Sequence, residues 1–233
     1  DTKSLATIID EGRWYLQLSG HGSSSQEFFY VMDLFDAQLQ VLKGDLERAK
    51  SILSRVESMP PKISERDRYS QCRYFGSVAV CYAEAPIFLD DLRGSLKSFE
   101  ELVGDPASTP YFLRSFYVAK GYAYMKRCEL DSQAPREDLE ELFRVIEVLS
   151  NWRNNDIFRG HLLVLEGAYA RFRGNVVSAR ECIEQARSCA RRLGSASVLF
   201  EAGRLSAMFL RDEHNLTSSI LEAEAALAIC TKY

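Results

Sequence analysis

Apolar residues return every three or four positions along nearly the whole chain, broken only by short stretches rich in Gly, Asp, Asn and Pro. That period predicts amphipathic helices. Residues 2–18 carry Leu5, Ile8, Ile9 and Leu16 at helical spacing, and Gly20-His21-Gly22 with the following serines reads as a loop. A helix over 26–43 ends at Gly44-Asp45, and a second over 46–58, with Ala49, Leu53 and Val56, stops at Pro60-Pro61. Residues 64–85 form the next, with Ser64-Glu65 as its cap region and Pro86 as its break, followed by 88–104 with Ser95, Phe99 and Leu102. In 108–128, Pro110 lies near the expected start, where its missing N–H costs nothing, and Gly121 and Tyr124 sit on one face. An insertion, ELDSQAPRED, leads into a helix bearing Leu139, Phe143 and Ile146. Hairpin signals are missing: no Asn-Gly or Asp-Gly stands between alternating apolar runs.

The sharpest segment is 163–194, LVLEGAYARFRGNVVSARECIEQARSCARRLG, which predicts two helices joined at Gly174-Asn175. Gly167 and Ala170 in the first and Ala179 and Ala186 in the second are small enough for the helices to touch, with Leu163, Val164, Tyr169, Phe172 and Ile183 filling the space between. A comparable pair follows, with Gly203, Ala207 and Phe209, then Ser219, Ala223 and Ala226. One anchor per second helix can be set in a row: Ala49, Ser95, Leu139, Ala179 and Ser219, separated by 46, 44, 40 and 40 residues. A stack of like units must present one buried face per unit to its neighbours, whereas an irregular bundle has no reason to keep such a period.

The order Gly167, Gly174, Ala179, Ile183, Ala186 resembles the tetratricopeptide (TPR) repeat. The resemblance runs over 26–232 and is carried with most specificity by 30–61 and 160–194. It implies an all-α, right-handed α-solenoid of about five antiparallel helix pairs, in a variety with repeats longer than the ~34 residues usual for the family. Ala37 stands for the motif glycine, and Ser95 and Leu139 for its alanine. On this reading 1–25 is an N-terminal helix and Gly/Ser loop, a cap or half repeat, and 26–233 is the array. The missing partner of the opening helix suggests an excised piece of a longer chain.

Composition narrows the function. Six cysteines are dispersed without a CxxC pair, which removes the zinc-finger and dithiol readings and leaves small buried thiols suited to a reducing, intracellular setting, cytoplasmic or nuclear. No apolar run reaches the ~18 residues of a membrane span. His21, His161 and His214 lack metal-site spacing, no GxSxG or phosphate-cradling loop occurs, and acidic clusters such as Glu140-Glu141 lie beside Arg and Lys as on solvated faces. The expectation is a non-enzyme with no catalytic residue, metal or cofactor. A net charge of −4 and no one-base-per-repeat pattern argue against nucleic acid.

In the TPR family the first helices line a concave groove. Here residues 108–128 sum to +4, 153–173 to +2 and 195–211 to +1, against −2 for 88–104 and −3 for 134–149, while 175–194 breaks the trend at +2. The expected partner is therefore a protein or peptide segment, an acidic one on this balance, met by Arg73, Arg114, Lys120, Arg159, His161 and Arg204 with Tyr117 and Tyr122 as aromatic contacts. Reversing Arg114 and Lys120 to Glu is expected to weaken binding without unfolding. The residues following the small positions are Gln38, Ser77, Tyr122, Ala168 and Arg204, with no Asn among them, which argues against the carboxylate clamp for chaperone tails. The function expected is an interaction scaffold or adaptor. The alternative is a regulatory sensor module that binds a small effector or peptide, as in TPR-containing transcription regulators or signalling ATPases.

Overall fold

The computed structural model describes residues 6–7, 9–12, 14, 23–59, 62–83, 89–130 and 136–232. The expected breaks at Gly20-His21-Gly22, Pro60-Pro61 and Pro86, and 131–135 of the 129–138 insertion, lie outside these residues; the rest of that insertion is helical, contrary to its reading as a connection. The described residues are all-helical, without a strand. The chain divides into two compact units, Asp1–Ala119 and Lys120–Tyr233.

The first unit contains α1 (Ser23–Leu42), α2 (Leu46–Ser58), α3 (Arg68–Ala83), α4 (Leu89–Val103) and the start of α5 (Ser115–Leu130). Helix α1 packs on α2 and α3, and α3 on α4. Between the first three lie Tyr30, Leu34, Ile52, Leu53, Val56, Tyr74, Val78 and Cys81. The Tyr30 hydroxyl donates to the Ser70 carbonyl at 2.7 Å, so a buried polar tip is satisfied, and the Arg66 guanidinium lies 4.2 Å from its ring centre. Phe99 of α4 stacks on Phe116 of α5, and both meet Tyr117 edge-on.

Three helix starts in this unit differ from the sequence expectation, the first being α1, which begins at Ser23 within the serines read as loop. Residues Ile63–Glu65 form a 3-10 turn, and α3 begins at Arg68, capped by Asp67 rather than by the Ser64-Glu65 region. The Asp67 carboxylate accepts from the backbone of Tyr69 and Ser70, and the Ser70 hydroxyl, its strongest partner, helps hold its pKa below the usual value. Pro110 opens a 3-10 turn, Tyr111–Leu113, and α5 starts five residues later at Ser115.

The second unit continues from the Lys120 part of α5 through α6 (Arg136–Ser150), α7 (Asp156–Phe172), α8 (Val176–Leu193), α9 (Ala196–Asp212) and α10 (Leu216–Lys232). Each of α6 to α9 packs on its successor, and α7 also on α9. The small residues predicted for 163–194 mark the closest approach. A Cβ on Gly167 would lie 2.9 Å from Ile183 Cδ1 and 3.2 Å from the Ala179 carbonyl oxygen. One anchor is displaced. In α6 the buried series is Asp138, Leu142, Val145, Ile146 and Leu149, while Leu139 is half-buried. Asp138 takes the inward position because Arg127 of α5 donates to its carboxylate at 2.7 and 2.9 Å, which offsets the cost of burying the charge.

Three connections share one geometry. Helices α1, α7 and α9 end at Leu42, Phe172 and Asp212, and Gly44, Gly174 and His214 then take left-handed backbone with φ of 80°, 75° and 61°. Asp45, Asn175 and Asn215 next accept a hydrogen bond from the amide three residues on, at 3.1, 3.2 and 3.3 Å. The amides of these same residues reach back five positions, to Gln40, Ala170 and Leu210, at 2.8–2.9 Å. The anchors Ala49, Ala179 and Ser219 each follow the capping residue by four positions. Ala49 and Ala179 are buried, and the half-buried Ser219 hydroxyl donates to the Ala207 carbonyl at 2.8 Å.

Candidate interaction surface

The eight residues expected to meet a partner fall into three groups. Tyr117 and Lys120 are internal, 2% and 6% exposed. Tyr117 packs against Phe99 and Phe116, and burial pushes its hydroxyl up to about 12. The Lys120 ammonium lies 3.2 Å from the Glu141 carboxylate and 5.8 Å from the Tyr124 ring centre. Reversing Lys120 would therefore set a buried carboxylate beside the half-buried Glu141 and destabilise the fold, contrary to the expectation of weaker binding without unfolding.

Tyr122, His161 and Arg204 serve contacts within the second unit. The Tyr122 hydroxyl and His161 Nδ1 share a hydrogen bond of 3.0 Å, with the rings edge to face. Desolvation lowers the His161 pKa to about 4, so the imidazole is neutral at physiological pH. Arg204 donates to Glu129 at 2.6 and 3.0 Å and to Glu201 at 2.8 Å. Burial works against its charge, but the two carboxylates more than offset this and hold it above the ordinary arginine range. Its place on a basic first helix was legible in the sequence. Its neutralisation by Glu129, 75 positions away, was not.

Arg73, Arg114 and Arg159 remain nearer the surface. Arg159 is exposed on α7, and half-buried Arg114 donates to the Thr109 carbonyl at 3.1 Å. Arg73 donates to the Tyr69 hydroxyl one turn before it. It also borders a cleft of about 160 Å³ within the first unit. Helices α1 and α3 and the segment entering α5 form this cleft, with Val31, Phe35, Gln38, Val80 and Leu113 among its walls. Among the described residues, Arg73 is the one charged side chain on that wall, and no carboxylate lines it. Phe35 is 38% exposed there. An apolar floor with a cation at its edge can take an apolar side chain whose neighbour carries a negative charge. The sequence named Arg73 but gave no sign of Phe35, whose outward side is set by which face of α1 meets α2 and α3.

Other chemistry is sparse. Burial pushes the Cys81 and Cys128 thiols up to about 12 and 11, and desolvation also raises Cys72 and Cys182, so all four stay protonated near neutral pH. Among the described residues no His, Cys, Asp and Glu group has the makings of a metal site, and no helix is long and apolar enough to cross a membrane. Comparison with known protein families, curated proteins and solved structures finds no match.

Proposed function

We propose that the chain is a TPR-like, right-handed α-solenoid of antiparallel helix pairs. It serves as a non-enzymatic scaffold that holds a partner polypeptide segment along the face of its first helices. The observation that carries this reading is the triple recurrence of one connection at Gly44-Asp45, Gly174-Asn175 and His214-Asn215. Each is followed at the same interval by an anchor residue, Ala49, Ala179 or Ser219. The last two of these connections stand 40 residues apart and the first stands 130 before the earlier of them, and a recurring local geometry is what a stack of like units requires. The five cysteines with described side chains are free, which supports a reducing compartment, cytoplasm or nucleus.

Within such a scaffold the cleft bordered by Arg73 and Phe35 offers a receiving surface between α1 and α3. It suits an extended or helical segment that presents an apolar side chain beside an Asp or Glu. Its rim charge would govern encounter and register, with the apolar floor supplying most of the affinity. Affinity capture from the native source, with cross-linking to locate the contact, tests this. A partner that cross-links beside α1 and α3 should be recovered at least about tenfold less with Arg73→Glu, while helical circular dichroism is unchanged. Equal recovery by the folded variant would remove the cleft from the function.

A further inference from the structure

Two carboxylates and one guanidinium meet on the helices of the second unit. Arg204 of α9 donates to both oxygens of Glu129 at 2.6 and 3.0 Å, and to Glu201, one turn before it, at 2.8 Å. The three side chains are 25%, 10% and 12% exposed, so the forked bond to Glu129 lies largely out of water, where such bonds are strong. Glu201 belongs to the same helix as Arg204, whereas Glu129 stands in the last turn of α5.

In a stack of helix pairs each unit touches only its neighbours. Helix α7 lies against both α5 and α9. Tyr122 of α5 shares a hydrogen bond with His161 of α7, and a Cβ on Gly121 would come 2.5 Å from Leu165 Cδ1. On the other side, a Cβ on Gly160 of α7 would come 3.3 Å from the Val198 methyls of α9. Glu129 and Arg204 therefore join the two outer members of this set past the middle one. The bond also has a low-cost way to open. Two carboxylates share one cation, so opening leaves Arg204 paired with Glu201 and returns Glu129 to water, with no buried charge stranded. The C-terminal end of a helix disfavours an anion, so Glu129 gains nothing from α5 itself and depends on Arg204 for its place.

We propose that the Glu129–Arg204 pair is a releasable strap. Closed, it ties the end of α5 to α9, so that α5, α7 and α9 open as one block instead of one pair at a time. Released, it lets the end of α5 open alone and frees Arg204 for another carboxylate. The strap rests on contacts inside the second unit and needs no partner in the cleft of the first.

Native-state amide exchange of the whole chain tests this. Glu129→Gln should speed exchange over 122–130 at least about tenfold, while α8 and α10 exchange as in the wild type. Arg204→Gln with Glu201→Gln removes the cation without stranding its second partner and should give the same local acceleration. Adding Glu129→Gln to that pair should then change nothing further. Should Glu129→Gln fail to fold, Glu129→Asp, which keeps the charge but shortens the reach, gives the same reading. Unchanged exchange over 122–130 would overturn the proposal. So would an equal acceleration over the whole second unit, which would make the pair a general stabiliser, or a further acceleration in the triple variant, which would give Glu129 a different partner. Binding at the cleft is unaffected by these variants and is judged separately by Arg73→Glu.

Discussion

His161 couples the second unit to pH through a hydrogen bond of 3.0 Å to Tyr122 and a pKa that desolvation lowers to about 4. In the unfolded chain the imidazole titrates near 6.5. Between these values the unfolded state binds a proton that the folded state refuses, so stability falls as pH drops from about 6.5 towards about 4 and changes no further from this group below that. The loss is on the order of 3 kcal/mol if the full shift is realised. Thermal melts from pH 7 to pH 4 should show that decline, and His161→Gln should flatten it. A wild-type slope retained in the variant would assign the effect elsewhere. Lys120→Glu should cost about 3 kcal/mol in chemical denaturation, because it sets a buried carboxylate beside the half-buried Glu141. A neutral result would mean that the pair is solvated in solution. The basic character of α5 was visible in the sequence, but its sidedness was not. Phe116, Tyr117, Lys120, Tyr122, Tyr124 and Met125 are all buried, so no polar face tells a reader which way each side chain points.

At the scale of elements, the connections explain why the chain bends where it does. Gly44 and Gly174 meet the left-handed requirement without a Cβ penalty, whereas His214 meets it at φ 61° with one. His214→Gly should therefore stabilise the protein by about 0.5–1 kcal/mol, and Asn175→Ala should destabilise it by about 1 kcal/mol by removing the bond to the Ser178 amide. If His214→Gly lowered the melting temperature, the imidazole would have to make a stabilising contact of its own. Gly167→Ala should cost about 1–3 kcal/mol, since its Cβ would press on Ile183 and on the Ala179 carbonyl. Combining it with Ile183→Val should cost less than the sum of the two single changes. These features were legible in advance because glycine, Asx and alanine at fixed intervals have few other uses. The displaced anchor in α6 was not, because an aspartate reads as exposed until Arg127 is found beside it. The starts of α3 and α5 were missed for a related reason: the 3-10 turns at Ile63–Glu65, Pro106–Ser108 and Tyr111–Leu113 carry no periodic signal.

On the scale of the whole molecule, the helical composition followed from periodicity alone, while the division at Ala119 did not, since it falls inside the continuous helix α5. A stack of repeats differs from a single closed core in one physical respect: its stability is a sum of unit and neighbour terms, so length can change without loss of the fold. Residues 176–215 offer a seam for testing this, because the second copy of Val176 would follow Asn215 as the first follows Asn175 in the matching turn. The most direct measurement is a thermal and circular-dichroism comparison of the wild type with a chain in which 176–215 occurs twice in tandem. A TPR-like solenoid predicts a folded protein with helical signal raised in proportion to the added helices and a melting temperature equal to or above the wild type's. An unfolded or aggregated product, or a folded one without the added helicity, would contradict it.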